Sequence, residues 1–234
     1  MVIEILYPDI CNLYGDRGNI LFLKENLSNS TIVETRVNEV PYFVNHNVDM
    51  LYMGSASEAK QSMIIDRLKP YKDRIIELIN QDKMFLLTGN SLEIFAKNIY
   101  ENGIVINTGL AILDVEVERN YQKRVNSIFK GKYQDLTILG FQSQFDSYKS
   151  NMEPLFEMEY GINSFSKEHF EGVKYKNLIA TTLLGPLLIL NPEFSLKILN
   201  MTELKYQSQL FSAYNKRLED FNRLIERGKK WNSI

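Results

Sequence analysis

The stretch 84–97, MFLLTGNSLEIFAK, joins an apolar run to a helical pattern through a very short turn. Residues 84–87 are continuously apolar, as in a strand that is buried on both faces of a parallel sheet. The turn follows at Thr88-Gly89-Asn90, and Asn90 or Ser91 is a suitable helix cap. The stretch therefore predicts a sharp strand-to-helix elbow, a geometry that enzymes use to present a nucleophile beneath backbone N–H groups.

The chain around the elbow alternates between strand and helix patterns. Buried or β-branched runs predict strands at 2–7, 31–37 and 48–53. The spacing of apolar residues predicts helices at 20–26, 58–68 and 73–81, and an elbow helix that ends before Gly103. This rhythm predicts a right-handed parallel sheet covered on both faces.

The second half of the chain has a different sequence pattern. Alternating runs predict antiparallel strands at 111–117, 124–129 and 136–141 and near Phe156, with a turn at Lys130-Gly131-Lys132. An apolar run predicts a strand at 177–184, Pro192 begins a helix, and a long amphipathic helix is expected over 202–229. We expect one α/β domain over 1–234, with a mostly parallel central sheet flanked by helices and an antiparallel extension in the second half.

Composition excludes several classes of function. The chain has 27 basic and 29 acidic residues, so no strong basic field exists to attract nucleic acid or an anionic membrane. A single cysteine fits a reducing cytoplasm, and no Cys/His spacing suits a metal site. Neither a signal peptide nor an apolar run of about 18 residues is visible. We expect a soluble cytoplasmic protein without a metal.

Two loops carry weak signals of ligand binding. Asp16-Arg17-Gly18-Asn19 is a ligand loop or, as we favour, a strand-to-helix connection with Asp16 or Asn19 as the helix cap. The small residues of Gly54-Ser55-Ala56-Ser57-Glu58 suit an anion or oxyanion nest, and equally any short connection from strand to helix.

Three stretches together resemble the class I (triad-type) glutamine amidotransferases of the cobyric acid synthase (CobB/CobQ) branch. They are 6–19, LYPDICNLYGDRGN; the elbow at 84–97; and 171–192, EGVKYKNLIATTLLGPLLILNP. The third is similar to the family's EG…Y.N.IGTYLHGPLLPKNP segment nearly residue by residue. The resemblance implies a flavodoxin-like fold, no cofactor, and a synthetase partner of the Mur-ligase-like (MurT-type) kind in cell-wall precursor chemistry.

The departures from the family bear directly on its chemistry. The elbow cysteine of the family aligns with Gly89, or with Thr88 after a shift of one residue, and the family's histidine aligns with Leu184. Glutamine hydrolysis needs a thiolate to attack the amide and an imidazole to move protons. Losing both members of that unit leaves only binding, so we assign no catalytic residue.

Substitute groups are scarce. Cys11, Ser91 and Glu93 are the low-ranked candidates for a rebuilt site, and the two histidines, His46 and His169, stand in polar segments away from the family's catalytic positions. A lone cysteine or a loop histidine is more often structural.

Three hypotheses follow. The favoured one is an inactive pseudo-glutaminase that serves as a binding or scaffolding subunit, and the second is an active amidotransferase with a rebuilt site that supplies ammonia to its partner. The third is a stand-alone small-molecule binder with an apolar pocket. The pocket candidates are Gly54, Ser55, Thr88, Asn90, Gln144 and Leu184.

Overall fold

The computed structural model describes residues 1–122 and 124–228. The strands are β1 Val2–Leu6, β2 Thr31–Thr35, β3 Met50–Met53, β4 Met84–Thr88, β5 Asn98–Glu101, β6 Ile104–Thr108, β7 Val115–Arg119, β8 Val125–Tyr133, β9 Leu136–Gln144, β10 Asp146–Ser150, β11 Glu153–Tyr160, β12 Phe170–Tyr175 and β13 Leu178–Thr181. The helices are α1 Asp16–Asn26, α2 Glu58–Leu68, α3 Lys72–Asn80, α4 Ser91–Phe95, α5 Leu187–Leu190, α6 Pro192–Ile198 and α7 Gln207–Glu226, with single 3₁₀ turns at Tyr42–Val44 and Lys69–Tyr71.

The large sheet has the order β2-β1-β3-β4-β13-β12-β11-β8-β9. Its first five strands are parallel and the remaining four are antiparallel, which confirms the predicted parallel core with an antiparallel extension. A smaller sheet has the order β10-β7-β5-β6. The elbow strand β4 lies in the middle of the large sheet, between β3 and β13.

Helices cover both faces of the parallel region, because successive side chains of a buried strand point to opposite faces. On one face α2, α3 and α4 pack with the smaller sheet, through residues such as Ile64, Ile75 and Phe95. On the other face α1, α5 and α6 pack through Leu23, Leu187 and Phe194. The antiparallel extension packs against α7.

The elbow helix is shorter than the sequence predicts. It ends at Phe95, and β5 occupies residues that the sequence pattern assigned to helix. The backbone N–H groups of residues 110–113 donate to the carbonyls of Ile94, Phe95 and Ala96, which ends the helix by satisfying its last acceptors. For the same reason the strand predicted over 111–117 begins only at Val115.

Several other boundaries also differ. The turn predicted at 130–132 is wrong, since these residues lie within β8 and the hairpin turns at Gln134, which has a φ of 57°. Gly131 is needed there because a Cβ would lie 2.6 Å from the Phe129 ring and 2.5 Å from a β11 carbonyl. The long helix begins at Gln207 rather than 202, and its predicted end at Lys229 lies outside the described residues. Strands β6, β10 and β12 were not predicted.

Two further observations concern residues 1–122 and 124–228. Within these ranges no helix combines the length and hydropathy that a membrane crossing requires. The same ranges contain no group of three or more His, Cys, Asp or Glu side chains arranged to hold a metal ion.

An aromatic cluster joins the antiparallel extension to α6. Phe156 is fully buried, and its ring centroid lies 5.5 Å from Phe194 and 6.0 Å from Phe129. We expect Phe156→Ala to lower the free energy of unfolding by about 3–5 kcal/mol, because a large cavity replaces the ring. Urea denaturation measures the change, and Tyr175→Ala, at a residue 40% exposed, is the control with a small effect.

The same experiment tests the single-domain prediction. One domain requires that the wild type and Phe156→Ala each unfold in one transition that is common to fluorescence and circular dichroism. Two separated transitions would contradict it.

Candidate functional site

Gly89 forms the tip of the elbow. It has a left-handed backbone with φ of 61°, and its N–H donates to the Leu183 carbonyl at 3.1 Å. Thr88 is instead the last residue of β4, and its hydroxyl donates to Asp16 Oδ1 at 2.7 Å. Of the two residues that the family cysteine aligns with, Gly89 therefore occupies the strained position of an elbow nucleophile.

Leu184 lies opposite this tip. A Cβ built on Gly89 would be 3.7 Å from Leu184 Cδ2, so the two residues that the sequence analysis aligned with the family's cysteine and histidine are neighbours in space. Neither side chain carries a group that ionises or attacks a carbonyl.

Ser55 occupies the space that a nucleophile would need. A Cβ at Gly89 would overlap Ser55 Oγ. The backbone donors of the same loop are also occupied, since Ser55 N–H donates to Asp16 Oδ2 at 2.5 Å and Ala56 N–H donates to Asn90 Oδ1 at 3.0 Å. The predicted nest therefore exists as a loop, but its donors already have partners within the chain.

Asp16 is the centre of a buried polar network. Beyond Thr88 and Ser55, its carboxylate accepts a hydrogen bond from the Tyr52 hydroxyl at 3.1 Å, and Asn19 Nδ2 donates to that hydroxyl at 3.0 Å. Burial raises the pKa of Asp16, and hydrogen bonds from Ser55 and Thr88 oppose that rise. Asp16 and Asn19 thus shape the site rather than cap helix α1, whose N-cap is Gly15.

A small cavity lies between the elbow and β9. Its volume is about 20 Å³, room for roughly one water molecule. Four of the six predicted pocket residues line it, and two do not: Thr88 and Gly54 face the Asp16 network instead. The lining residues are Tyr14, Ser55, Glu58, Gly89, Asn90, Arg124, Ser143, Gln144, Phe145, Asp146, Tyr148, Thr182 and Leu184. The cavity in this conformation does not accommodate a ligand of glutamine size, and its wall is more polar than Leu184 alone predicts.

A buried ion-pair network supports the cavity from beneath. Arg119 Nη2 contacts Glu93 Oε2 at 2.5 Å, and Arg119 Nε contacts Asp146 Oδ1 at 3.3 Å. Glu93 also accepts hydrogen bonds from the Tyr148 hydroxyl at 3.0 Å and from Gln61 Nε2 at 3.0 Å. The network joins the elbow helix to α2 and to the smaller sheet.

One arginine faces two carboxyl groups in this network. Burial, followed by the charge of Glu93, raises the pKa of Asp146 to about 9, although Arg119 opposes the rise. The raised pKa of Asp146 favours its protonated form, and Arg119 lies closer to Glu93, at 2.5 Å, than to Asp146, at 3.3 Å.

The candidate substitutes for the nucleophile are all held in other roles. Cys11 is buried, and burial together with Asp16 and Asp9 raises the pKa of its thiol. Ser91 is buried and its hydroxyl donates to the Thr88 carbonyl at 2.8 Å. Glu93 is the carboxylate of the Arg119 ion pair.

The histidines are exposed and apart from the elbow. His46 stacks on the ring of Tyr42 with a centroid distance of 3.9 Å. His169 precedes β12 with φ of 62°, and its backbone N–H donates to Asn163 Oδ1. Neither lines the cavity.

Sequence reasoning missed Arg119 and Asp146. The strand that carries Arg119 alternates Val115, Val117 and Arg119 inward, so an arginine in phase with two buried valines was the available signal. Asp146 is the first residue of β10, and nothing in the sequence connects it with Glu93. The placement of both depends on how the smaller sheet docks against the elbow.

Removing Arg119 tests the network. Arg119→Met should lower the free energy of unfolding by about 3–5 kcal/mol, since it leaves a buried carboxylate without its cation. Arg124→Met is the matched control, because Arg124 is exposed, and we expect a change within about 0.5 kcal/mol. Denaturant unfolding of both variants provides the measurement, and equal losses would contradict the buried-network interpretation.

The protonation of Asp146 predicts a pH dependence. Because its pKa is raised from 3.8 to about 9 in the folded protein, the native state binds the proton more tightly than the unfolded chain. Its contribution to stability is present below about pH 4 and is lost as pH rises through 9. Glu171, whose pKa burial raises to about 7, adds a slope of the same sign at lower pH.

Urea denaturation between pH 5 and pH 9.5 measures this dependence. The free energy of unfolding should fall with pH in the wild type, and Asp146→Asn should flatten the slope above pH 7. An unchanged slope in that variant would contradict the assignment.

Comparison with known proteins identifies proteins that are similar to this chain in sequence and in fold. No protein-family model matches the chain. It is 28% identical over 191 residues to the lipid II isoglutaminyl synthase (glutamine-hydrolyzing) subunit GatD of Staphylococcus aureus (strain N315), an alignment that covers 80% of this chain and 78% of that protein. It is also 28% identical over 200 residues to GatD of Streptococcus pneumoniae (strain ATCC BAA-255 / R6), covering 82% and 76%.

Solved structures agree on the fold. A glutamine amidotransferase from Thermotoga maritima superposes with a TM-score of 0.50 at 11% identity, covering 96% of this chain and 94% of the other. A second glutamine amidotransferase gives a TM-score of 0.56 at 16% identity, covering 86% and 98%. The chain thus has the fold of the glutamine amidotransferases, and in sequence it is a relative of the GatD subunits of lipid II isoglutaminyl synthase.

Proposed function

We propose that this chain is a pseudo-glutaminase, a GatD-like subunit that does not hydrolyse glutamine and serves its complex by binding. The observation that carries the proposal is the elbow tip. Gly89 and Leu184 face each other where the mechanism needs a thiol and an imidazole, and Ser55 Oγ fills the nucleophile's place. Without either reacting group, only binding and backbone donors remain.

The rest of the site supports the same conclusion. The nest donors of Ser55 and Ala56 are hydrogen-bonded within the chain, so they are not free to stabilise an oxyanion. The cavity beside the elbow has room for about one water molecule, about 20 Å³. A glutaminase would need space for a whole amino acid there.

The proposed partner is a synthetase subunit of the Mur-ligase-like (MurT-type) kind. The curated relatives are named as subunits of a lipid II isoglutaminyl synthase, so they act within an assembly. Our chain aligns with about three quarters of their length and keeps the sheet, the elbow and the 171–192 segment. A subunit that retains its fold and loses its reactive pair is suited to hold or regulate a synthetase.

The direct test is a glutaminase assay on the purified protein. We expect glutamine hydrolysis to equal the buffer blank from pH 6 to pH 9, with no difference in Cys11→Ala. Hydrolysis that Cys11→Ala or Ser91→Ala abolishes would instead support the alternative of an active amidotransferase with a rebuilt site.

Adding the synthetase further distinguishes a pseudo-glutaminase from an active amidotransferase. A purified Mur-ligase-like synthetase subunit from the same cell is mixed with this chain and supplied with glutamine or with ammonium. We expect a complex on size-exclusion chromatography, and amidation with ammonium only. Glutamine-dependent amidation would overturn the pseudo-glutaminase proposal.

A restoration experiment tests the role of Ser55. Gly89→Cys with Leu184→His should remain inactive, because the new Cβ overlaps Ser55 Oγ. Adding Ser55→Gly removes that overlap, so a small thiol reagent such as iodoacetamide should alkylate residue 89 of the triple variant at least tenfold faster than that of the double variant. Equal labelling would show that Ser55 does not block the position, and buried Cys11 supplies little background.

A further inference from the structure

Gln144 lines the cavity and carries a buried acceptor without a partner. Its side chain is 7% exposed, and Oε1 has no hydrogen-bond partner in the described part of the chain. Its other terminal atom, Nε2, donates to Thr182 Oγ1. A buried carbonyl oxygen without a donor is costly, so it marks a place where the site expects a ligand or can rearrange.

The orientation of this carboxamide follows from a count of protons. Thr182 Oγ1 donates its only proton to Glu171 Oε1 at 2.8 Å, so it has no proton left for Gln144. It can only accept, and Gln144 must therefore turn Nε2 toward it. This pattern of donors is the one that an ionised Glu171 requires, and it leaves Gln144 Oε1 without a donor.

Glu171 sits in a pocket of hydroxyl and amide donors. Its Oε1 also accepts the Thr182 N–H at 2.6 Å, and its Oε2 accepts the Thr181 hydroxyl at 2.6 Å. The side chain is fully buried, and no charged group acts on it among the described residues. Burial raises the pKa of this carboxyl to about 7.

We propose that Glu171, Thr182 and Gln144 form a proton-linked relay that sets whether the cavity offers a hydrogen-bond acceptor or a donor. With Glu171 ionised, Gln144 Oε1 faces the cavity and suits water, an ammonium ion or an N–H group. When Glu171 Oε1 takes up a proton it donates to Thr182 Oγ1. Thr182 then donates to Gln144 Oε1, the carboxamide rotates by half a turn, and Nε2 faces the cavity to suit a carbonyl or carboxylate oxygen.

Counting hydrogen-bond donors also indicates which oxygen of Glu171 takes up the proton. A proton on Glu171 Oε1 gives every hydroxyl of the relay a partner and satisfies the orphaned oxygen of Gln144. A proton on Oε2 would displace the Thr181 hydroxyl proton, and Thr181 Oγ1 already accepts the Leu183 N–H at 3.1 Å. Of the two arrangements, only the first turns the Thr182 hydroxyl toward Gln144, so it is the one that the relay uses.

Other titrating groups surround the cavity and must be separated from this effect. Glu58, Arg124 and Asp146 line the cavity, and Tyr148 reaches it from β10. None of these groups is hydrogen-bonded to Thr182 or Gln144 in the described residues. The relay responds to the protonation of Glu171, to which its hydrogen bonds lead. It operates whether or not the chain hydrolyses glutamine.

Nuclear magnetic resonance of the Gln144 side-chain amide tests the relay. In ¹⁵N-labelled wild type, the two Gln144 amide protons, assigned with Gln144→Met, should shift between pH 5.5 and pH 8.5 with one midpoint near 7. Glu171→Gln and Thr182→Val should abolish the shift. Thr182→Ser, which keeps the hydroxyl, and Asp146→Asn should preserve it.

The variants distinguish a working relay from its absence. Loss of the shift in Thr182→Val with retention in Thr182→Ser supports the relay. A pH-independent Gln144 amide in the folded wild type overturns it, and so does a shift that persists in Thr182→Val. If Thr182→Val does not fold, loss of the shift in Glu171→Gln decides, since that variant keeps all three donors around residue 171.

Discussion

The buried carboxylate of Asp16 is the constraint on which the elbow region depends. It lies at the start of α1, yet its partners come from the loop after β3, from β3 itself and from the end of β4. The surrounding backbone leaves no spare room, because a Cβ at Gly54 or at Gly185 would come within 2.8 Å of Asp16. The neighbouring parallel strands β3 and β4 are thereby held at one edge with their carboxyl ends aligned, the place where open α/β sheets build their sites.

This constraint explains how the elbow keeps its shape with a glycine at its tip. The Asp16 network and the Arg119 ion pair hold the elbow from opposite sides, and neither requires a cysteine or a histidine. Gly89 suits this turn, since glycine adopts a φ of 61° at little cost. Ser55 Oγ occupies the space beside it that a Cβ would need, and Leu184 lines the neighbouring cavity.

The sequence predicted some elements well and others poorly, for local reasons. The elbow, the parallel strands and helix α2 were predictable, because continuous apolar runs and helical spacing are local patterns. The sequence predicts a turn at Gly131, but this residue lies within a strand. A glycine is needed there because the Phe129 ring and a neighbouring strand leave no space for a side chain. The elbow helix was extended too far because its end is fixed by hydrogen bonds from residues 110–113, which a local pattern does not contain.

By itself, the sequence determined the class of fold and the position of the elbow, since these depend on residue identity and short spacing. Only the tertiary structure decided that Gly89 rather than Thr88 forms the tip, that Asp16 is a buried anchor, and that Cys11, Ser91 and Glu93 are held in other roles. It alone connected Glu171 with Gln144 through Thr182. The physical reason is that burial and hydrogen-bond partnership are set by residues distant in sequence, and those contacts exist only once the sheet and its loops have packed together.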